Sequence, residues 1–115
     1  MTGEAQEASA TAEIAALNDA FRRCPSGGLV MLTQGVLALD GVAQERLIGE
    51  VRGFDRFTPD NDPYGEHNFG AIDLSGECFF WKIDTYDRTL TCASPDPADP
   101  SLTTRVLTIM RAEEW

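Results

Sequence analysis

Ile14, Leu17, Phe21 and Cys24 recur at steps of three and four residues, the spacing that lays apolar side chains along one face of a helix. Thr11 stands where an N-cap belongs, Glu13 falls in the first turn, and Arg22 and Arg23 suit the negative C-terminal end. Pro25-Ser26-Gly27-Gly28 stops the helix. Residues 1–10 are small and polar and are expected to be frayed or disordered ahead of a single domain over residues 11–115. Leu29 to Thr33 is an apolar run between glycines, predicted as a buried strand that kinks onward through Val36 and Leu39. Asp40 then caps a second helix, about Val42 to Arg52, with Leu47, Val51 and Phe54 on one face.

Periodicity vanishes over residues 57–66, Phe-Thr-Pro-Asp-Asn-Asp-Pro-Tyr-Gly-Glu, whose prolines, glycine and Asx residues predict a loop with several turns. Two strand-like runs follow, His67 to Leu74 and Glu77 to Asp84. In the second, Phe79, Trp81 and Ile83 alternate with Phe80, Lys82 and Asp84, and the Ser75-Gly76 pair between the runs predicts a β-hairpin. A short strand is expected over Thr89 to Cys92, after a turn near Asp87-Arg88. Ser94-Pro-Asp-Pro-Ala-Asp-Pro100 lacks a backbone donor at three positions and reads as an extended surface connection. Thr103 to Arg111 closes the order as a β-branched strand. Helices first and strands afterwards define an α+β fold, with one or two N-terminal helices packed on one face of a mainly antiparallel sheet of about four to five strands.

Composition narrows the class. With 115 residues, 43% hydrophobic and 24% charged, the chain has the means to bury one core without disulfides. Its three cysteines (Cys24, Cys78, Cys92) are odd in number, form no CxxC, and accompany a single histidine. They are expected to be reduced and mostly buried rather than bridged or zinc-bound. Met1 to Ala12 holds Glu4 and Glu7 but neither Lys nor Arg, unlike a secretory leader, and no apolar run spans a bilayer. A cytoplasmic protein without membrane contact is expected.

Charge changes the picture more. Nineteen acids face nine bases, a net −10, and the imbalance sits after residue 57, where eleven acids meet four bases. Nucleic-acid affinity comes largely from Lys and Arg neutralising phosphates, so direct nucleic-acid binding is disfavoured. The same field attracts a basic protein surface.

Candidate chemistry concentrates in the loop, where His67 lies among Asp60, Asp62 and Glu66. These groups suit acid–base catalysis or a hard cation. Asp60, Asp62 and Gly65 fit positions one, three and six of a calcium loop, but Tyr64 and Ala71 occupy positions five and twelve, so no metal site is expected. A nucleophile for His67 would have to come from Ser75 or Cys78. The structural alternative has the Asx residues nucleating turns, Pro63 and Gly65 fixing backbone angles, Tyr64 anchoring the loop to the core, and His67 serving the loop itself. Lys82 and Asp84 share a strand face and can pair.

The segments NDPYGEHNFG (61–70), WKIDTYD (81–87), SPDPADP (94–100) and TTRVLTIMRAEEW (103–115) together resemble an uncharacterised family of small bacterial proteins, often plasmid- or phage-associated. The resemblance runs from about Gly28 to the C-terminus. In that family the central box usually reads NDPYGEHDFG and the later one WKIDYYD, so Asn68 stands here for an acid and Thr85 for a tyrosine. The resemblance implies a mobile-element context and transfers no catalytic residue. Asn68 counts against mechanisms that need a carboxylate beside His67.

Three functions remain. The first is a small acidic antagonist of a host nucleic-acid-binding defence system, of anti-CRISPR or anti-restriction type. It would cover a basic surface through Asp60, Asp62, Glu66, Asp96 and Asp99, and it needs neither a cofactor nor a catalytic residue. The second is a hydrolase or nuclease-like enzyme using Asp60, Asp62, Glu66 and His67. The third is a housekeeping interaction domain.

Overall fold

The computed structural model describes residues 2–115, residues 2–8 by backbone alone. Helix α1 spans Thr2–Arg23, so Thr11 is an interior residue and not a cap, and the helix covers most of the segment expected to fray. The face that α1 turns inward is partly polar: Ala15 and Phe21 are buried, and so are Asn18 and Arg22. Cys24, expected at the end of the apolar stripe, is exposed. Strand β1 (Leu29–Leu32) is followed by a one-turn helix α2 (Gln34–Leu37) instead of a kinked strand. Helix α3 (Gly41–Arg52) starts where the sequence placed it, with the Asp40 carboxylate accepting a hydrogen bond from the Ala43 amide at 2.8 Å.

Strands β2 (Phe69–Leu74) and β3 (Glu77–Tyr86) form the expected hairpin. Both Ser75 and Gly76 adopt positive φ, as a two-residue turn with the twist of a hairpin requires. Strand β4 (Thr104–Arg111) pairs antiparallel with β3 on one side and parallel with β1 on the other. The sheet order is β1-β4-β3-β2. The fold is α+β as expected, but the sheet is mixed, because β1 runs parallel to β4.

Two further expectations fail. No strand forms over Thr89 to Cys92; an isolated bridge joins Tyr86 to Ala93. Asp87 accepts hydrogen bonds from the Thr89 and Thr91 amides and closes a turn there, so the Asx side chain outcompetes a ladder. The run Leu29 to Leu32 is a strand but is not buried. Leu29, Val30 and Met31 are 44%, 45% and 53% exposed, because β1 is an edge and the helices cover only part of it.

The core lies between the helices and one sheet face. Phe21, Val36, Leu47, Val51 and Phe54 meet Ile72, Phe79, Trp81, Ile83, Leu107 and Ile109. Gly70 sits opposite Trp81 in the ladder, and a Cβ on it would stand 2.3 Å from Trp81 Nε1 and 2.8 Å from the Phe54 ring. Only glycine lets the indole lie that close to the strand. Among the described residues, no helix is long and apolar enough to cross a membrane.

Candidate functional site

The loop between α3 and β2 folds onto itself before it folds onto anything else. Asn61 Oδ1 accepts from the Thr58 amide, Asn61 Nδ2 donates to the Arg56 carbonyl, and the Asp62 amide donates to the Thr58 carbonyl at 2.8 Å. Gly65 takes φ +70, and its amide donates to the Asp62 carbonyl. His67 also has positive φ, at +55, a conformation most side chains avoid. Surrounding contacts hold it there.

Those contacts form a cluster. His67 Nδ1 lies 2.9 Å from an Asp19 carboxylate oxygen, and because a carboxylate only accepts, Nδ1 carries the proton. The imidazole stacks on Phe57 with ring centres 3.9 Å apart and planes 1° from parallel. The His67 amide donates to Asp62 Oδ1 at 3.2 Å, and His67 Nε2 faces Asp62 Oδ2 at 3.6 Å. Asp19 also accepts from Arg22 Nη1 at 2.9 Å. Arg22 is fully buried, donates to the Phe54 carbonyl at 2.8 Å, and lies over Trp81 and Phe57. One end of the loop is thereby latched to α1 and the aromatic core.

A second node joins this loop to the proline-rich one. Asn18 Nδ2 donates to the Glu66 carbonyl at 2.9 Å, while Asn18 Oδ1 accepts from Arg105 Nε at 2.7 Å. Arg105 Nη2 donates to the Pro97 carbonyl. Burial pushes the Arg105 guanidinium below its ordinary pKa, yet an arginine stays protonated. Residues 94–103 are a compact turn and not an extended connection. Thr103 Oγ1 lies 2.9 Å from the carbonyls of Asp96 and Asp99, and Pro100–Leu102 form a 3-10 turn. Hydrogen bonds from the Ser101 hydroxyl and amide hold Asp99 below its ordinary 3.8.

The sequence-derived candidates therefore separate. Asp60 and Asp96 are exposed, and Glu66 and Asp99 are half-buried. Asp62 is 8% exposed and turns inward to His67, so it is not among the surface carboxylates. Tyr64, expected to anchor the loop, is 81% exposed and anchors nothing. Pro63 is exposed as well. Ser75 and Cys78 sit at the tip of the hairpin, six or more strand residues from His67 and roughly 20 Å away; neither is a nucleophile for it. The three thiols are free but exposed, contrary to the expectation of burial. Lys82 and Asp84 do pair, at 2.9 Å. Among the described residues, no three His, Cys, Asp or Glu side chains are arranged to hold a metal ion.

Sequence reasoning missed Asn18, Asp19, Arg22 and Arg105. The signal was present for three of them. Asn18 and Arg22 follow Ile14 and Ala15 on the inward stripe of α1, and Arg105 shares strand parity with Leu107 and Ile109. A polar side chain on an apolar stripe marks a buried network.

A family model described as "Protein of unknown function (DUF3768)" matches residues 32–114. The matched span contains His67, Asp62 and Arg105 but not α1, which supplies Asn18, Asp19 and Arg22. No curated protein and no solved structure matches the chain.

Proposed function

The chain belongs to this family of unknown function, and from that premise we propose that it is a non-enzymatic, partner-binding protein of a mobile genetic element. It covers the basic, nucleic-acid-binding surface of a host defence protein, as anti-CRISPR and anti-restriction proteins do. The observation that carries this reading is the Asn18–Arg105 node, which holds the two aspartate-rich loops to one connected network. Asp60, Glu66, Asp96 and Asp99 are thereby offered from neighbouring loops. Two of the nine bases, Arg22 and Arg105, are buried and offset little of the field that an approaching partner meets.

The cluster around His67 supports the same reading. An imidazole oriented by a carboxylate has the makings of a general base, but the group facing Nε2 is a second carboxylate, and the ring is stacked against Phe57. The neighbouring shallow cleft, about 370 Å³, is lined by Asn61, Tyr64, Asn68 and Trp115 and not by His67. We assign His67 to holding the loop's shape.

The test is competition. The partner, captured from a host lysate and purified, should lose its DNA or RNA as the protein is titrated in. Association should slow steeply with salt, because the screening length falls from about 10 Å at 0.1 M to 3 Å at 1 M. Charge reversal at Asp60 and Asp96 should lower the on-rate more than it raises the off-rate. A partner that keeps its nucleic acid while bound would overturn the reading.

A further inference from the structure

The strand at the free edge of the sheet is unlike the rest of the surface. Cys24 to Leu39 contains no charged residue, in a chain of which 24% is charged and whose net charge is −10. Within that stretch β1 exposes Leu29, Val30 and Met31. Edge strands are ordinarily protected by a charge, a proline or a bulge. The opposite edge, β2, carries exposed Asp73; β1 carries none of these devices.

The backbone of β1 is equally available. The Thr33 amide donates to the Ile109 carbonyl, so Thr33, Met31 and Leu29 point their N–H and C=O groups toward β4. By alternation, Val30 and Leu32 point theirs outward from the sheet. Beside Val30, on the helix side, lies a mainly apolar slot of about 190 Å³ walled by Ile48, Val51, Leu107 and Ile109, with Arg22 and Arg52 also lining it.

We propose that β1 pairs antiparallel with β1 of a second copy of this chain, joining two four-stranded sheets into one continuous sheet. A twofold axis perpendicular to the sheet keeps both helix layers on the same side. It sets Val30 opposite the second copy's Leu32, where both outward pairs of N–H and C=O groups are satisfied, and brings Met31 against the second copy's Met31 across the axis. The incoming Leu32 side chain points to the helix face and enters the slot beside Val30. Charge selects this occupant. Two copies that each carry −10 repel least where they meet without carboxylates, as along Cys24 to Leu39, and fixed charges farther than about 8 Å are screened at physiological ionic strength. A basic partner is drawn to the carboxylate loops and gains nothing at an uncharged strand. A second copy is present wherever the chain is made.

Sedimentation of the intact chain from low to high micromolar concentration should show a species of twice 12.6 kDa, unchanged at high salt. Met31→Lys places like charges across the axis at a site already exposed in the single chain. It should raise the dissociation constant about tenfold or more while leaving circular dichroism and thermal melting of the dissociated chain unchanged. Asp73→Lys, on the other edge, should leave the dimer intact. Hydrogen exchange gives an independent readout, since the Val30 and Leu32 amides should be protected in the wild type and exchange freely in Met31→Lys. A single-chain mass at every concentration overturns the proposal. So does a dimer in which those two amides exchange as fast as in the variant, because that dimer is built elsewhere.

Discussion

His67 shows how one residue can look catalytic in sequence and serve as a latch in space. Its positive φ, its hydrogen bond to Asp19 and its stack on Phe57 all fix the loop. His67→Ala should lower stability by about 1–3 kcal/mol, a drop of several degrees in Tm for a domain of this size. Wild-type Tm should not move with calcium, magnesium, manganese or zinc; a rise of several degrees with any of them would return the loop to metal chemistry. Gly70→Ala tests the other tight contact. Its added Cβ meets Trp81 Nε1 and Phe54, so a loss of about 1–3 kcal/mol is expected in equilibrium unfolding. The proximity of His67 to Asp62 was legible in the sequence, since five positions separate them. The pairing with Asp19 was not, because forty-eight positions intervene and no periodicity links a helix to a loop.

The elements themselves were largely readable. Helix α3 with its Asp40 cap, the hairpin around Ser75-Gly76 and strand β4 each follow from a short pattern that local geometry enforces. Failures occur where tertiary context decides. An apolar run such as Leu29 to Leu32 looks the same in sequence whether it lies at the middle of a sheet or at its edge. The C-terminal segment, which the pattern left trailing, is a 3-10 turn (Ala112–Glu114) tied back to the start of α2. Glu114 accepts from the Thr33 hydroxyl, the Arg111 amide and the Gly35 amide. These bonds, the Thr33 hydroxyl foremost, hold its carboxyl below the ordinary 4.5. A carboxyl depressed in the folded state stabilises above its unfolded pKa, and that contribution is lost as pH falls through the folded value. Glu114→Gln should therefore flatten the decline of Tm on acidification below 4.5, and an unchanged slope would show that Glu114 carries no linkage.

Across the whole molecule, acidity and apolarity occupy different places. Asp60, Glu66, Asp96 and Asp99 lie on two loops held by Asn18 and Arg105, while the uncharged stretch carries the β1 edge of the sheet. The two surfaces should respond differently to salt, partner association weakening and self-association holding, so one salt titration read by both measurements separates them. The bulk charge was plain from composition, whereas its arrangement depended on the buried network that composition does not reveal.

Strand β4 comes last of the four in the chain, yet it occupies an interior position in the sheet and is, among the described residues, the only partner of β1. While the chain is being made, the β2–β3 hairpin can close within microseconds, but Leu29 must wait for Val106. Bringing such distant segments together is the slow, entropically expensive part of folding. Throughout that wait Leu29 to Leu32 is bare on both edges, and so is the β4-facing side of β3. The hazard this creates belongs to biosynthesis and not to the mature molecule: a nascent chain that stalls before β4 presents two sticky strands to chaperones and to its neighbours on the same polysome.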